Sequence, residues 1–117
     1  MANNEVSEVS VREAQERLSQ PGSDAMLLDV REAWEFKPRR AQGAVNIPMS
    51  QMRARAGEVP TDRDVLVICE HGSRSAQVVQ FLKRQGYSRV TNVAGGTDQW
   101  EKQGLPMERG QQPVVGS

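Results

Sequence analysis

The only cysteine of the chain, Cys69, stands where an apolar run ends and a short polar loop begins. Residues 65–68 read Val-Leu-Val-Ile, a composition typical of a buried strand, and an amphipathic segment follows the loop. A thiol between a strand and a helix N-terminus lies near backbone N–H groups and the positive end of the helix dipole. Both favour negative charge on the sulfur, so this position predicts a nucleophilic thiolate.

The loop after Cys69 is predicted to bind an anion. Gly72 permits a tight turn with positive φ, and successive backbone N–H groups can then form a cradle around a negative charge. Arg74 offers a positive charge to such an anion, and it can equally pair with a carboxylate and fix the loop. Such a cradle needs no metal ion, and none is expected. The candidate loop residues are Glu70, His71, Gly72, Ser73, Arg74 and Ser75.

Length and charge restrict the possible functions. A chain of 117 residues is long enough for one domain with its own core, predicted at residues 5–107. Residues 108–117 lack periodicity and are predicted to form a flexible tail. A net charge of zero gives no electrostatic reason to expect nucleic acid or an anionic membrane as a partner.

Cysteine usage and the first residues point to a cellular compartment. A single cysteine forms no internal disulfide, which suits a reducing environment. The first residues offer neither a basic region nor an apolar stretch, so no secretory signal is expected. We therefore expect a cytoplasmic protein.

Short β-type runs alternate with helical patterns, which predicts an α/β domain with a mostly parallel sheet. The run 65–68 is apolar at every position, so it is predicted to lie at the centre of the sheet. In such sheets ligands bind beyond the carboxyl ends of the strands, where Cys69, Asp29 and the Gly95-Gly96 turn are expected to meet. Predicted strands are 6–9, 26–30, 44–47, 65–68 and 89–93, and predicted helical segments are 11–19, 32–36, 50–56, 73–85 and 97–103.

Four sequence segments carry a resemblance to a known family. They are residues 28–36 (LDVREAWEF), 43–48 (GAVNIP), 69–75 (CEHGSRS) and 86–100 (GYSRVTNVAGGTDQW). In order and spacing they resemble the motifs of the rhodanese family over nearly the whole chain. The resemblance implies a rhodanese-like α/β fold with about five mostly parallel strands and helices on both faces.

The resemblance also implies a sulfurtransferase. Cys69 would attack the sulfane sulfur of thiosulfate, a persulfide or a polysulfide and hold it as a cysteine persulfide. It would then pass the sulfur to cyanide, a thiol or a sulfur-carrying protein. Asp29 and Arg31 are interpreted as supporting ion-pair or hydrogen-bond partners beneath the site. No cofactor is implied.

Two other functions stay open at this point. One is a non-catalytic, partner-binding module, although relatives of that kind typically lack the cysteine. The other is thiolate phosphatase or arsenate reductase chemistry, but the related phosphatases use a loop one residue longer than the one that joins Cys69 to Arg74. In the two-domain, thiosulfate-using members of the family, the positions after the cysteine are commonly basic. Here Glu70 and His71 occupy them, and the negative charge of Glu70 leaves efficient use of thiosulfate open, although His71 can supply some positive charge. Arg40 occupies the position where the family often has a histidine further upstream.

Overall fold

A computed structural model describes residues 7–110 of the chain. The strands are β1 (Glu8–Val9), β2 (Met26–Asp29), β3 (Arg39–Ala41), β4 (Val45–Asn46), β5 (Val65–Ile68), β6 (Val90–Val93) and β7 (Met107–Arg109). The helices are α1 (Val11–Ser19), α2 (Ala33–Phe36), α3 (Met52–Arg55), α4 (Ser73–Arg84) and α5 (Gly96–Lys102). Within these residues, no helix combines the length and the apolar character that crossing a bilayer requires.

Five strands form one parallel sheet in the order β1-β6-β5-β2-β4, with β5 at its centre as predicted. Successive side chains of a strand point to opposite faces. Val65 and Val67 therefore join the core cluster that contains residues of α3 and α4, and Cys69 belongs to the same cluster. Leu66 and Ile68 join the opposite cluster, which contains residues of α1 and α5. The predicted α/β architecture, with helices on both faces, is confirmed.

Most predicted elements form close to their expected bounds. Ser10 caps α1 by accepting a hydrogen bond from the Glu13 N–H at 3.1 Å, whereas the Glu13 carboxylate pairs with Arg17. The helical segment predicted at 50–56 begins as a 3₁₀ turn at Met49 and ends as another at Glu58, so it extends beyond its predicted bounds at both ends. Val6, the first residue of the predicted first strand, lies outside the described residues.

A small second sheet was not predicted. β3 and β7 pair antiparallel, with Arg39 opposite Arg109 and Ala41 opposite Met107. Three-residue strands rich in charged side chains give no alternating apolar signal, so the sequence pattern does not reveal them. The predicted start of the flexible tail at residue 108 is therefore too early, because Glu108 and Arg109 belong to β7. Residues 111–117 lie outside the described residues.

Candidate active site

The Cys69 sulfur receives three hydrogen bonds from the start of α4. The N–H groups of Gly72 and Ser75 lie 3.1 and 3.3 Å from Sγ, and the Ser75 hydroxyl lies 3.2 Å away. Donors that converge in this way stabilise an anionic acceptor more than a neutral one. The Cys69 side chain is only 1% exposed, so the sulfur lies at the floor of the loop. Of the six loop residues named in the prediction, Gly72 and Ser75 direct donors at the sulfur.

The carbonyl of Gly72 faces away from the sulfur and has its own donors. It accepts hydrogen bonds from the Ala76 N–H and the Asn92 side-chain amide. The Ser75 hydroxyl is also 3.2 Å away, but its single proton serves the sulfur when the sulfur carries negative charge. Gly72 has a φ of +110°, which favours glycine. This conformation turns the N–H of the same residue toward Cys69. Asn92 comes from β6, so the neighbouring strand helps to fix the loop.

The N-terminus of α5 holds the carbonyl groups on the other side of the loop. The Thr97 N–H and hydroxyl donate to the Cys69 carbonyl at 2.8 and 3.2 Å, and the Asp98 N–H donates to the Glu70 carbonyl at 3.0 Å. A Cβ on Gly96 would lie 2.3 Å from the Cys69 carbonyl oxygen. The close approach expected of the Gly95-Gly96 turn is confirmed. The carbonyls are engaged by α5, which leaves the loop N–H groups for the sulfur.

Asp29 and Arg31 form a buried ion pair that reaches the loop. The Arg31 guanidinium donates to both Asp29 carboxylate oxygens at 3.0–3.2 Å and to Glu70 at 3.1 Å. Burial raises the pKa of the Asp29 carboxyl, and the hydrogen bonds from Arg31 oppose that rise. The pair links the end of β2 to the residue after Cys69.

Glu70 points toward arginines rather than toward open solvent. Its carboxylate accepts hydrogen bonds from Arg31 and Arg39, and those from Arg39 lower the Glu70 pKa. Arg39 also pairs with Glu101 of α5. The negative charge after Cys69 is therefore largely compensated. Arg40, in contrast, is directed toward Glu108 and the Phe36 ring.

Arg74 is paired with a carboxylate that sequence reasoning missed. Its guanidinium makes two hydrogen bonds of 2.8 Å to Glu35 of α2, and these lower the Glu35 pKa. Glu35 lies in the helical segment predicted at 32–36, where the charge pattern alone indicates a solvent-exposed turn, but its carboxylate is in fact held by Arg74. His71 and Ser73 are exposed. Among the hydrogen bonds of residues 7–110, none joins either side chain to the sulfur.

Glu70, His71 and Asp98 bring ligand-type atoms within 4.8 Å of one another at the outer side of the loop. Their carboxylates already have cationic partners, because Glu70 binds two arginines and Asp98 pairs with Lys102. A metal ion would have to displace these side chains. The cluster is therefore better described as part of the ion-pair network.

Comparison with known proteins now identifies the family. A family model described as "Rhodanese-like domain" matches residues 10–103. The chain belongs to the rhodanese-like family. The rhodanese-related protein from Thermoplasma volcanium, at 30% identity, superposes with a TM-score of 0.79 over 87% of this chain and 97% of that one. The rhodanese-like fold expected from the sequence is confirmed.

Named relatives give the class of reaction. A sulfurtransferase from Allochromatium vinosum is 36% identical over 102 residues, which cover 87% of this chain and 94% of the relative. The thiosulfate sulfurtransferase GlpE from Actinobacillus succinogenes is 41% identical over 85 residues, or 73% of this chain and 77% of the relative. This rhodanese-like protein is a sulfurtransferase, which moves sulfur from a donor to an acceptor.

Proposed function

We propose that Cys69 is the nucleophile and that it carries the transferred sulfur as a persulfide. The observation that supports this most is the convergence of three donors on the Cys69 sulfur. The thiolate attacks the outer sulfur of the donor, and the S–S bond of the donor breaks. Sulfite leaves when the donor is thiosulfate, and a thiolate leaves when it is a persulfide.

The second half of the reaction uses the same donors. Cyanide or an acceptor thiol attacks the outer sulfur of the Cys69 persulfide, and the bond to Sγ breaks. Negative charge then returns to Sγ, where the Gly72 and Ser75 groups already point. Preorganised donors of this kind stabilise the charge without reorganising during the step. Because the step needs a free thiol, we propose the reducing cytoplasm as the location.

Mass spectrometry of the intact protein tests this proposal. After incubation with thiosulfate or polysulfide, we expect the protein to gain about 32 Da, the mass of one sulfur atom, at Cys69. Adding cyanide should remove that mass and release an equal amount of thiocyanate. A Cys69 that stays unmodified with every donor would contradict the persulfide mechanism and favour a partner-binding module.

Glu70 is proposed to limit the use of thiosulfate. In Glu70→Gln, Arg31 and Arg39 keep Asp29 and Glu101 but each loses the carboxylate that lies in the loop. The loop therefore carries one negative charge less, which favours a dianionic donor. We expect kcat/KM for thiosulfate to rise about threefold to tenfold relative to that for cysteine persulfide, which carries less negative charge. Steady-state kinetics with both donors measure this ratio.

Glu101→Gln is the matched control, because it removes another carboxylate from the same Arg39 without altering the loop. Its ratio of the two kcat/KM values should stay closer to that of the unmodified protein. If Glu70→Gln changes both donors equally, Glu70 does not select between them.

A further inference from the structure

A groove of about 420 Å³ runs beside α4. Its volume lies in the range of small-molecule sites, ~300–1,000 Å³. The lining combines an apolar floor, two side-chain amides and two arginines. The floor residues are Met49, Met52, Val78 and Phe81, and the polar residues are Gln77, Gln80, Arg53 and Arg84.

The two arginines of the groove have no acidic partner among residues 7–110. Of the arginines in that part of the chain, only Arg12, Arg53 and Arg84 stand outside its ion pairs. Two of these three line the same groove, and both are exposed. A site with an apolar floor and uncompensated positive charge suits a ligand with an apolar body and an anionic end.

The floor of the groove belongs to the same core cluster as the reactive cysteine. Met52 and Val78 are members of the cluster that contains Cys69, and Met49 and Phe81 pack against it. Along α4 the lining of the groove extends from Gln77 to Arg84. Gln77 follows Arg74 by three positions on the same side of the helix, so this end of the groove lies about one helical turn from the loop. From Ser75, which donates to the Cys69 sulfur, to Arg84 the helix rises about 14 Å.

We infer that the groove binds a sulfur donor of a particular class: the persulfide of a thiol at the end of a long, amide-containing chain with phosphate or a similar anion at the far end. Arg53 and Arg84 hold the anion, and Gln77 and Gln80 meet the amides. The chain crosses the apolar floor, and its terminal sulfur reaches over the first turn of α4. This inference rests on the proposed function and names a substrate class for it.

The transfer itself needs no further reactant. The Cys69 thiolate attacks the outer sulfur of the bound persulfide, and the bond between the two donor sulfurs breaks. Cys69 gains the outer sulfur together with its proton, and the long-chain thiol leaves as a thiolate. The donor is reduced from a persulfide to a thiolate while Cys69 is oxidised from a thiolate to a persulfide, so the step needs no external oxidant or reductant.

Two synthetic donors separate the role of the anion from that of the chain. The persulfides of 4′-phosphopantetheine and of pantetheine share the amide-containing arm and the reacting sulfur, and they differ only in the terminal phosphate. We expect the ratio of their kcat/KM values, phosphopantetheine persulfide over pantetheine persulfide, to exceed one in the unmodified protein. In the double variant R53Q/R84Q this ratio should fall by roughly fivefold to tenfold, as expected for the loss of two exposed charge contacts.

The double variant R12Q/R63Q is the matched control. It removes the same formal charge from exposed arginines on the other side of the molecule, where α1 and Trp100 lie. Its ratio should equal that of the unmodified protein. A ratio near one in the unmodified protein, or an equal fall in both double variants, would overturn the inference. Failure of all donors, thiosulfate included, to place sulfur on Cys69 would instead refute the proposed function on which it rests.

Discussion

Replacement of Cys69 by serine is expected to lower the transfer of sulfur from thiosulfate to cyanide by at least about a thousandfold. A serine hydroxyl is far harder to deprotonate than a thiol, and oxygen does not form the persulfide that the mechanism requires. The chain contains no other cysteine, so no second thiol of the protein can take over the reaction. Thiocyanate release, measured at equal protein concentration, gives the result.

The same variant also has a structural control. Serine is close in size to cysteine and can accept the hydrogen bonds of Gly72 and Ser75, so Cys69→Ser should unfold near the temperature of the unmodified protein. A second variant, Cys69→Ala, removes the acceptor and should be equally inactive. Activity within about tenfold of the unmodified protein in a folded Cys69→Ser would show that Cys69 is not the nucleophile.

The position of Cys69 could be predicted because its signals are local. Four consecutive apolar residues before it indicate a buried central strand, and a glycine three residues after it indicates a tight turn into a helix. The structure has β5 at the centre of the sheet and α4 starting at Ser73. Local sequence thus predicted both the strand that positions the sulfur and the helix that supplies its donors.

The surroundings of the loop could not be predicted in the same way, because they depend on contacts between distant segments. The Glu70 carboxylate is held by Arg31 and Arg39, which come from two other parts of the chain. The pairing of Arg74 with Glu35 likewise joins α4 to α2 across 39 positions. A single sequence shows which charged residues are present, but it does not show which of them form ion pairs in the folded chain.

The polarity of the loop depends on two helices acting from opposite sides. The start of α4 directs N–H groups at the Cys69 sulfur, while the start of α5 takes up the carbonyls of Cys69 and Glu70. If a peptide plane of the loop flipped by about 180°, its N–H and C=O would change places, and a carbonyl oxygen would then face the sulfur. The contact between α5 and the loop is therefore expected to affect the reactivity of Cys69 as well as the stability of the fold.

Gly96→Ala tests this contact. The new Cβ would lie 2.3 and 2.5 Å from the carbonyl oxygens of Cys69 and Glu70, so the loop or α5 must move. Gly96 also has a φ of +61°, which is unfavourable for alanine. We expect a loss of about 2–4 kcal/mol in the free energy of unfolding and at least about a tenfold loss of kcat/KM with thiosulfate.

Gly104→Ala separates the effect of the steric clash from that of the unfavourable backbone conformation. Gly104 follows the same helix and has a similar φ of +75°, but a Cβ there would meet no atom within 4 Å. This variant has the unfavourable φ without the steric clash, so its free energy of unfolding should fall by about 1 kcal/mol and its kcat/KM with thiosulfate should stay unchanged. Denaturant unfolding and steady-state kinetics of both variants make the comparison. If Gly96→Ala loses no more stability and no more activity than Gly104→Ala, the approach of α5 does not position the loop, and the hydrogen bonds at the sulfur must be maintained by α4 and β6 alone.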